Sequence, residues 1–395
     1  MTDTEPVHNW ATDYDIFDPD FVRDPYPMWA DLRDTCPVPH TERWNGSWMP
    51  TRYEDIRDFA NDVDLFSSSN PIVVAAPDAP TINAPPISSD PPVHLGARRL
   101  ILPAFSPRAT ERHEQYTRDL CRRLIRGFIE DGRADGATDY AQQIPPRVIA
   151  HLLGVDEDRS GEFTEWVRGV LELGLQDPEL RAASRVKIFG FLQEVVAERR
   201  ANPGGSDFIS ELMEAKVDGE PISDMQLLGT CNLLLVAGID TTWSSIGSAL
   251  WHLASHPEDT ARLVADPDMI PMAVEEFLRA YSPVTMARVV TEDVEYKGCP
   301  MKEGDKVLMS FPAANRDPDV FPNPNDVMID RAENRHIAFG VGIHRCAGSN
   351  LARLEMNVAI EEWLKMIPEF ELEDPDSVTW AGGQVRGPRE MMVKF

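Results

Sequence analysis

One cysteine near the C-terminus lies in a segment whose glycines favour tight turns. From Phe339 to Gly348 the chain reads Phe-Gly-Val-Gly-Ile-His-Arg-Cys-Ala-Gly, and a helix-forming run follows. Glycine adopts left-handed backbone conformations freely, so the loop can turn sharply before the helix. The helix N-terminus directs unpaired N–H groups and a positive dipole end at the sulfur. With His344 and Arg345 beside it, we expect Cys346 to be a thiolate, the form that ligates metals.

The segment resembles the haem-binding loop of the cytochrome P450 family, Phe-Gly-x-Gly-x-His-x-Cys-x-Gly, and every fixed position of that pattern is filled. Taken alone, a free cysteine would more often be a buried, inert side chain. A match over so many constrained positions argues against that alternative. The resemblance implies haem b with its iron ligated by the Cys346 thiolate. It also implies cofactor contacts from the other loop residues Phe339, Gly340, His344 and Gly348.

Charge and cysteine spacing exclude several other classes of protein. The chain has 395 residues, with 38 Lys and Arg against 66 Asp and Glu, a formal net charge of −28. That charge repels nucleic acid and anionic membranes. No two cysteines form a C-x-x-C pair, so neither a zinc site nor a disulfide scaffold is expected. The other four cysteines read as core or surface residues.

No targeting segment is expected. The first thirty residues are acidic and lack an apolar signal region. The longest unbroken apolar stretch, Leu233 to Ile239, is far shorter than the ~20 residues that span a bilayer. We therefore expect a soluble, bacterial-type member of the family that acts in the cytoplasm.

Hydrophobic periodicity predicts a mainly α (α+β) protein with small sheets. Neither repeats nor a linker are visible, so one haem domain is predicted over residues 1–395. The resemblance implies the cytochrome P450 fold, with haem between the long central helix and the helix after the cysteine loop. The predicted elements are a helix at Pro25–Asp34, strands near 48–53, a loop at Ser67–Pro92, helices over 93–270, strands at Ala287–Glu295 and Lys306–Phe311, a proline-rich meander at Phe311–Asp330, a helix at Ser349–Ile367 and a strand-like tail.

The central helix has clear ends and an unfavourable middle. Ser223 and Gln226 form a capping box, and periodicity continues to about Ser255. Between them, residues 237–242 read Ala-Gly-Ile-Asp-Thr-Thr, which includes poor helix-interior residues. Such a cluster on an apolar helix predicts a functional kink. A polar cluster satisfied by local hydrogen bonds is the alternative.

The same six residues resemble the oxygen-activation segment of the family. The resemblance implies that the hydroxyl of Thr241 stabilises the activated oxygen and that Asp240 moves protons in from solvent. It also implies that Ala237 and Gly238 lie beside the cofactor, with Gly238 leaving room for dioxygen.

Further cations and one ion pair complete the resemblance. His94 and Arg98, one helical turn apart, resemble a segment that binds a haem propionate, and Arg288 and His344 match other such positions. Each alone would read as a solvated side chain. The resemblance also implies a buried ion-pair network behind the haem. Its members would be Glu276, Arg279 and either Arg316 or a nearby meander arginine.

The resemblance implies a monooxygenase that uses O2 and takes electrons from outside the chain. A ferredoxin with an NAD(P)H-dependent reductase is the expected donor. A cationic docking patch would steer such an anionic partner. Its candidates are Arg345, Arg353, Arg118, Arg122, Arg123 and Arg126. For the run 118–126, solvated helix faces are an equal alternative.

The resemblance also places the walls of a substrate pocket. They are Ile72, Val73, Val74, Leu233, Val236, Val284, Met286 and Val385. All are apolar, which favours a small lipophilic substrate. No Lys, Arg or His occurs from Asp58 through Val93, so this loop is not expected to bind a carboxylate, although Ser67 to Ser69 could. Terpenoid, alkyl and simple aromatic compounds all remain open.

Two other functions remain alternatives. One is a haem-thiolate enzyme that uses peroxide, against which the pair Asp240 and Thr241 argues. The other is a non-enzymatic haem protein, a sensor or an electron carrier, which would need no enclosed apolar pocket and no proton relay.

Overall fold

The computed structural model describes residues 5–74 and 83–395, and within them the chain is mainly helical with small sheets, as predicted. Residues 75–82 of the predicted loop Ser67–Pro92 lie outside the described residues. The flanking parts of that loop hold turns and the end of one short strand.

The helices surround the long central pair and the helix that follows the cysteine loop. In chain order they are α1 (Pro19–Arg23), α2 (Tyr26–Thr35), α3 (Tyr53–Asn61), α4 (Val93–Ile101), α5 (Pro107–Thr110), α6 (Glu114–Phe128), α7 (Ile144–Leu153), α8 (Ser160–Leu171), α9 (Pro178–Ala201), α10 (Phe208–Met213), α11 (Asp224–Ala237), α12 (Asp240–Ser255), α13 (Pro257–Ala265), α14 (Ile270–Ala280), α15 (Phe311–Ala314) and α16 (Ser349–Met366).

The strands form small sheets at the edges of the helical body. They are β1 (His40–Thr41), β2 (Ser47–Trp48), β3 (Phe66–Ser67), β4 (Arg133–Asp135), β5 (Lys216–Val217), β6 (Glu220–Pro221), β7 (Thr285–Val290), β8 (Val294–Tyr296), β9 (Cys299–Met301), β10 (Lys306–Ser310), β11 (Glu371–Leu372), β12 (Thr379–Ala381), β13 (Gly387–Glu390) and β14 (Met392–Lys394). The largest sheet has the order β1-β2-β10-β7-β3, and β11, β14 and β4 form another.

The central helix breaks where its sequence is least helical. Its N-terminal capping box is present, with the Ser223 hydroxyl accepting from the Gln226 N–H and the Gln226 side chain accepting from the Ser223 N–H. Gly238 and Ile239 separate α11 from α12. A Cβ on Gly238 would lie 2.5 Å from Ile149 Cδ1 and 2.8 Å from the Leu234 carbonyl oxygen. The glycine is therefore needed for the close approach of α7 to the break.

Burial identifies the central helix as a core element. By length and composition, the stretch Asp224–Ser255 could cross a membrane, yet 78% of its most apolar window is buried inside the protein. The first helical core includes Trp243 of α12 and Trp363 of α16, both almost fully buried. A second apolar cluster lies under the largest sheet. The rigid core thus holds α12 and α16 on two sides of the functional cavity.

Candidate functional site

A cavity lies between the break in the central helix and the cysteine loop. Thr241 and Gly238 line it from the central helix, and Phe339 and Cys346 line it from the loop. Its lining is predominantly apolar, with a few polar groups. An enclosed apolar space with convergent polar groups is the usual form of a cofactor or ligand site.

The cysteine loop is held by its own backbone. The Cys346 N–H donates to the Phe339 carbonyl over 2.8 Å, which closes the loop. Gly340 and Gly342 have φ values of 69° and 75°, which L side chains rarely adopt. A Cβ on Gly342 would also lie 2.8 Å from the Ala60 carbonyl oxygen. The glycine spacing of the motif is therefore required by the backbone path and by packing on α3.

The Cys346 side chain has accessible surface, because it faces the cavity. Burial nevertheless raises the pKa of its thiol, and the Gly348 N–H and the Arg98 guanidinium only partly oppose this effect. In the absence of a bound metal, burial therefore opposes the thiolate form that the sequence predicts. The helix N-terminus does not outweigh the cost of a buried charge. Deprotonation has to be coupled to binding of a metal, which is usual for cysteine ligands.

Two arginines supply positive charge at the cavity. Arg98 and Arg288 both line it, and the Arg98 Nη2 donates to the Arg345 carbonyl over 2.5 Å. Arg288 is 3% exposed, and its Nε has no hydrogen-bond partner. A buried guanidinium with an unused donor requires an anionic partner. This orphaned donor fits a carboxylate of a bound group.

His344 and His94, which were predicted to bind propionate together with the two arginines, differ in position: only His344 lines the cavity. His344 lines the cavity and its Nε2 lies 2.8 Å from the Ser68 hydroxyl. Burial and the charge of Arg288 lower its pKa to about 3, so it is neutral and not the predicted cation. His94 is not among the cavity-lining residues. Its ring lies 4.4 Å from that of His344, and its Nε2 is buried without a partner.

Thr241 lies at the break in the central helix, with its side chain in the cavity lining. Its hydroxyl donates to the Ala237 carbonyl over 2.8 Å, one turn earlier. This bond satisfies a carbonyl near the break, and back-bonding of this kind bends helices. The hydroxyl oxygen keeps its acceptor capacity free for a group in the cavity.

Asp240, the acid before Thr241, is not among the cavity-lining residues. Its carboxylate is fully buried, accepts from Arg389 Nη2 over 2.9 Å and accepts from the Ser244 hydroxyl over 3.1 Å. Burial raises its pKa, and the charge of Arg389 offsets this only in part. Arg389 also donates to Glu172. The Asp240 carboxylate is therefore held in a buried ion-pair cluster with Arg389 and Glu172.

Comparison with known proteins identifies the family. The model of the cytochrome P450 family matches residues 173–382. A probable cytochrome P450 127A1 from Sinorhizobium fredii is 34% identical over 94% of this chain and 90% of its own length. The chain belongs to the cytochrome P450 family. A vitamin D(3) 25-hydroxylase from Pseudonocardia autotrophica is 34% identical over 91% of this chain and 90% of its own length.

Solved structures agree with this assignment. The cytochrome P450 PksS of the Bacillus subtilis bacillaene polyketide synthase superposes with a TM-score of 0.87 at 30% identity, covering 96% of this chain and 99% of its own. The predicted cytochrome P450 fold is thereby confirmed. The chain is a cytochrome P450 monooxygenase, and its cofactor is haem ligated by a cysteine thiolate. Cys346 is the one cysteine lining the cavity in the described part of the chain.

The cavity fits haem by the chemistry of its donors. It offers one thiol for iron, two arginines for propionates and apolar walls for the macrocycle. A Cβ on Gly348 would lie 3.9 Å from the Cys346 sulfur. The predicted contact residues Ala237, Gly238, Phe339 and Gly340 also line it. His94 is the one predicted cofactor contact that does not.

The predicted ion-pair network around Glu276 is present in this cytochrome P450, and its third member is Arg331. Arg279 donates to both oxygens of Glu276, over 2.7 and 2.8 Å, and both residues are fully buried. Arg331 completes the network, because its Nε donates to both Glu276 oxygens. Arg316, the named candidate, instead donates to the Ala280 carbonyl and lies 3.6 Å above the Tyr26 ring. The alternative, a nearby meander arginine, fits this geometry.

A second network fixes the cysteine loop from outside. Arg353 of α16 makes two hydrogen bonds to Glu275 of α14, and His336 makes a third. These partners lower the pKa of Glu275 to about 2, against the opposing effect of burial. The Arg353 guanidinium also lies 4.4 Å from the centre of the Phe339 ring. Arg353 is therefore a positioning residue for the loop.

The structure brings only part of the predicted substrate wall to the cavity. Leu233, Val284 and Met286 line the cavity. The others do not: Ile72, Val73, Val74 and Val385 are buried in the protein, and Val236 packs partly buried against the core. Val385 forms a backbone bridge to Val284, so it lies beside a residue of the wall without lining the cavity itself.

Sequence reasoning missed several cavity residues. They are Pro86, Ile87, Ile101, Phe105, Ile149, Leu234, Thr242, Ser245, Leu351 and Glu355. Glu355 of α16 is unusual, because it is almost fully buried and its Oε2 has no partner. Burial raises its pKa well above the usual range, so the side chain is neutral. The sequence signal that could have identified Glu355 was a glutamate at a core-facing position of the helix that follows the cysteine loop.

Proposed function

We propose that this cytochrome P450 inserts one oxygen atom of O2 into a C–H bond of a small lipophilic substrate, with electrons from a ferredoxin and an NAD(P)H-dependent reductase. One observation carries the proposal. A single apolar cavity has the Cys346 thiol on its loop wall and the Thr241 hydroxyl on its central-helix wall. Bound haem supplies the activation of dioxygen, and the side chains supply binding, orientation and protons.

The proton supply starts at the helix break. The Thr241 hydroxyl can turn from the Ala237 carbonyl and donate into the cavity, since its oxygen is held by one local bond. We assign Asp240 a role behind it. When Arg389 releases the carboxylate, Asp240 can carry a proton from the protein surface to the helix break. Glu172 then retains Arg389, since the two are already hydrogen-bonded.

The cavity walls support a lipophilic substrate. Leu233, Val284 and Met286 are apolar, and no carboxylate except that of Glu355 lines the cavity in the described part of the chain. Relatives act on or bind such molecules: one is a vitamin D(3) 25-hydroxylase, and one solved structure is in complex with testosterone. Apolar burial then provides most of the affinity.

The cationic patch available for docking an electron donor is smaller than the sequence predicted. Arg118 and Arg122 are paired with Glu362, Arg123 with Glu157 and Arg353 with Glu275. These pairs remove most of the predicted patch. Among the described residues, Arg99, Arg108, Arg112, Arg126 and Arg345 are exposed arginines without a side-chain partner. We propose these as the docking charges for an acidic ferredoxin, steered by long-range attraction.

Two broader proposals accompany this function. We propose that residues 1–395 act as one haem domain, which the shared helical core around α12 and α16 supports. We also propose that the protein works in the cytoplasm, where its ferredoxin and NAD(P)H would be found.

Turnover with different electron sources tests the function. Purified holoprotein is supplied with a ferredoxin, its reductase and NAD(P)H, or with hydrogen peroxide alone, over a panel of lipophilic compounds that shift the Soret band. The proposal expects NAD(P)H- and O2-dependent hydroxylated product. Product from peroxide alone would favour the peroxide-using alternative. A Soret band that no lipophilic compound shifts would favour a sensor or an electron carrier.

A further inference from the structure

Three cations from α9 and β10 form a cluster, and none has a carboxylate partner in the described residues. Arg181 and Arg185 lie one turn apart on α9, and Lys306 begins β10. All three are partly buried. A chain with 66 acidic and 38 basic residues has many carboxylates available for pairing. Unpaired cations in such a chain need an explanation.

The cations converge on neighbouring backbone carbonyls. Arg181 Nη2 donates to the Val74 carbonyl over 2.6 Å, and Lys306 Nζ donates to the Ile72 carbonyl over 2.5 Å. These bonds satisfy some donors but neutralise no charge. Carbonyl dipoles do not replace a counter-ion for a partly buried cation.

The charges also act on one another. Burial and then the charge of Arg185 lower the pKa of Arg181. Burial and then the charge of Arg181 lower the pKa of Lys306 to about 8. Mutual repulsion of this kind is relieved when an anion enters the cluster.

Arg181 repeats a feature of the cofactor site. Among the described residues, the only arginine atoms that are buried without a hydrogen-bond partner are Nε of Arg288 and Nε of Arg181. At Arg288, the unused donor lies at the cavity that accommodates the haem carboxylates. The same feature at Arg181 indicates a second place for a carboxylate.

A hydrogen-bonded side chain connects this cluster to the cavity. Gln384 Oε1 accepts from the Val73 N–H over 2.9 Å. Its Nε2 donates to the Pro71 carbonyl and to the Met286 sulfur. Met286 lines the cavity. The segment that Arg181 and Lys306 contact is therefore one side chain away from the substrate wall.

We propose that Arg181, Arg185 and Lys306 bind the carboxylate of the substrate, so that the enzyme prefers lipophilic carboxylic acids whose apolar part enters the cavity. This inference rests on the proposed function and names its substrate class. It replaces the expectation that the segment preceding Val93 would not serve a carboxylate. That expectation considered only cations within the segment, whereas the fold brings them from α9 and β10.

Binding titrations with matched ligand pairs test the proposal. Straight-chain alkanoic acids of eight to sixteen carbons are compared with the alkanols of the same length, following the Soret shift of the holoprotein. At least one acid should bind about tenfold more tightly than its alcohol, the discrimination of ~1.4 kcal/mol that one charge-assisted contact can provide. The preference should weaken above pH 8, as Lys306 loses its proton.

Variants assign the preference to the cluster. Arg185→Gln and Lys306→Gln should each reduce the acid preference while leaving alkanol binding unchanged. The Arg185 substitution is the clearer test of charge, because the Arg185 side chain makes no hydrogen bond in the described residues that its removal would break. Lys306, in contrast, donates a hydrogen bond to the Ile72 carbonyl. Arg185→Lys should retain part of the preference. Lys216→Gln, an exposed lysine on β5, is the matched control and should change neither affinity.

A second readout avoids the haem spectrum. An alkanoic acid should raise the melting temperature of the wild-type holoprotein more than the matching alkanol does. Arg185→Gln should abolish that difference and should itself raise the melting temperature without ligand, since it removes repulsion with Arg181.

Two outcomes overturn the proposal while leaving the monooxygenase intact. One is equal affinity for acids and alcohols. The other is an acid preference that persists in the Arg185→Gln and Lys306→Gln double variant. Protection by inorganic phosphate without any acid preference would indicate a structural anion site and would also overturn it. Failure of every neutral lipophile and every acid to shift the spectrum would instead count against the proposed function.

Discussion

Arg389 Nη2 donates to Asp240 Oδ1 over 2.9 Å, in a pair that is almost completely buried. The acid comes from the first turn of α12, in the middle of the chain, and the arginine from β13, near the C-terminus. The pair therefore fastens the C-terminal hairpin to the central helix beside Thr241. It also separates two roles of Asp240, structural support and proton supply.

A mutant cycle on this pair should separate the two roles. Arg389→Ala leaves Asp240 buried and unpaired, and we expect a loss of about 3–5 kcal/mol in unfolding free energy. Asp240→Asn should cost less, since Glu172 still pairs with Arg389. The double variant Asp240→Asn with Arg389→Gln should recover stability but not product formation. Denaturant unfolding measures the stability of each variant, and NAD(P)H-coupled turnover measures its product formation. Recovery of turnover in the double variant would rule out a proton role for Asp240.

Substitution of Thr241 should affect chemistry and not binding. Thr241→Ala should keep haem and substrate binding and divert most NAD(P)H electrons into peroxide, lowering product formation by about 10²-fold. Thr241→Ser keeps a hydroxyl and should stay close to wild type. Thr242→Ala, the neighbouring cavity residue, is the control. Undiminished coupling of NAD(P)H to product in Thr241→Ala would refute the assignment.

The Glu276 network should be a major stabilising element. Glu276→Gln leaves Arg279 and Arg331 buried without a full counter-charge, and we expect a loss of about 3 kcal/mol. The matched control is Glu54→Gln, which removes an exposed partner of Arg57 and should cost under about 1 kcal/mol. Thermal unfolding of the two variants gives the comparison. Similar small losses for both would contradict a structural role for the buried network.

The Glu275 network should make the cysteine loop acid-sensitive. Because the folded-state pKa of Glu275 is lowered to about 2 from 4.5, its stabilising contribution is present above pH 4.5. It is lost as pH falls towards 2, where the folded-state carboxylate takes up its proton. The difference in melting temperature between wild type and Glu275→Gln should therefore be constant near neutrality and shrink below pH 4.5. A pH-independent difference would show that packing, not charge, dominates.

Local sequence signals predicted the elements that carry the chemistry. The glycines around Cys346 impose a backbone path that few residues allow, and the capping box at Ser223 starts the central helix as expected. The break at Gly238 followed from residues that disfavour helix. These features depend on neighbours in the chain, so the sequence alone contains enough information to predict them.

Long-range partners were not predictable in the same way. The partner of Asp240 lies 149 positions away, and the third member of the Glu276 network is Arg331, not Arg316. The burial of Cys346, which raises the pKa of its thiol, also depends on the whole fold. Val385 was expected on the wall from the family resemblance, but it is buried and does not line the cavity. Such errors concern which of several similar side chains tertiary packing brings together.

The central claim is that the Cys346 sulfur is the haem ligand, and carbon monoxide binding tests it most directly. The purified, haem-loaded protein is reduced under carbon monoxide and its absorption spectrum is recorded. Thiolate ligation predicts a Soret band at about 450 nm, which Cys346→His should lose while still binding haem. A natively folded, haem-loaded wild-type protein that lacks this band would contradict the account.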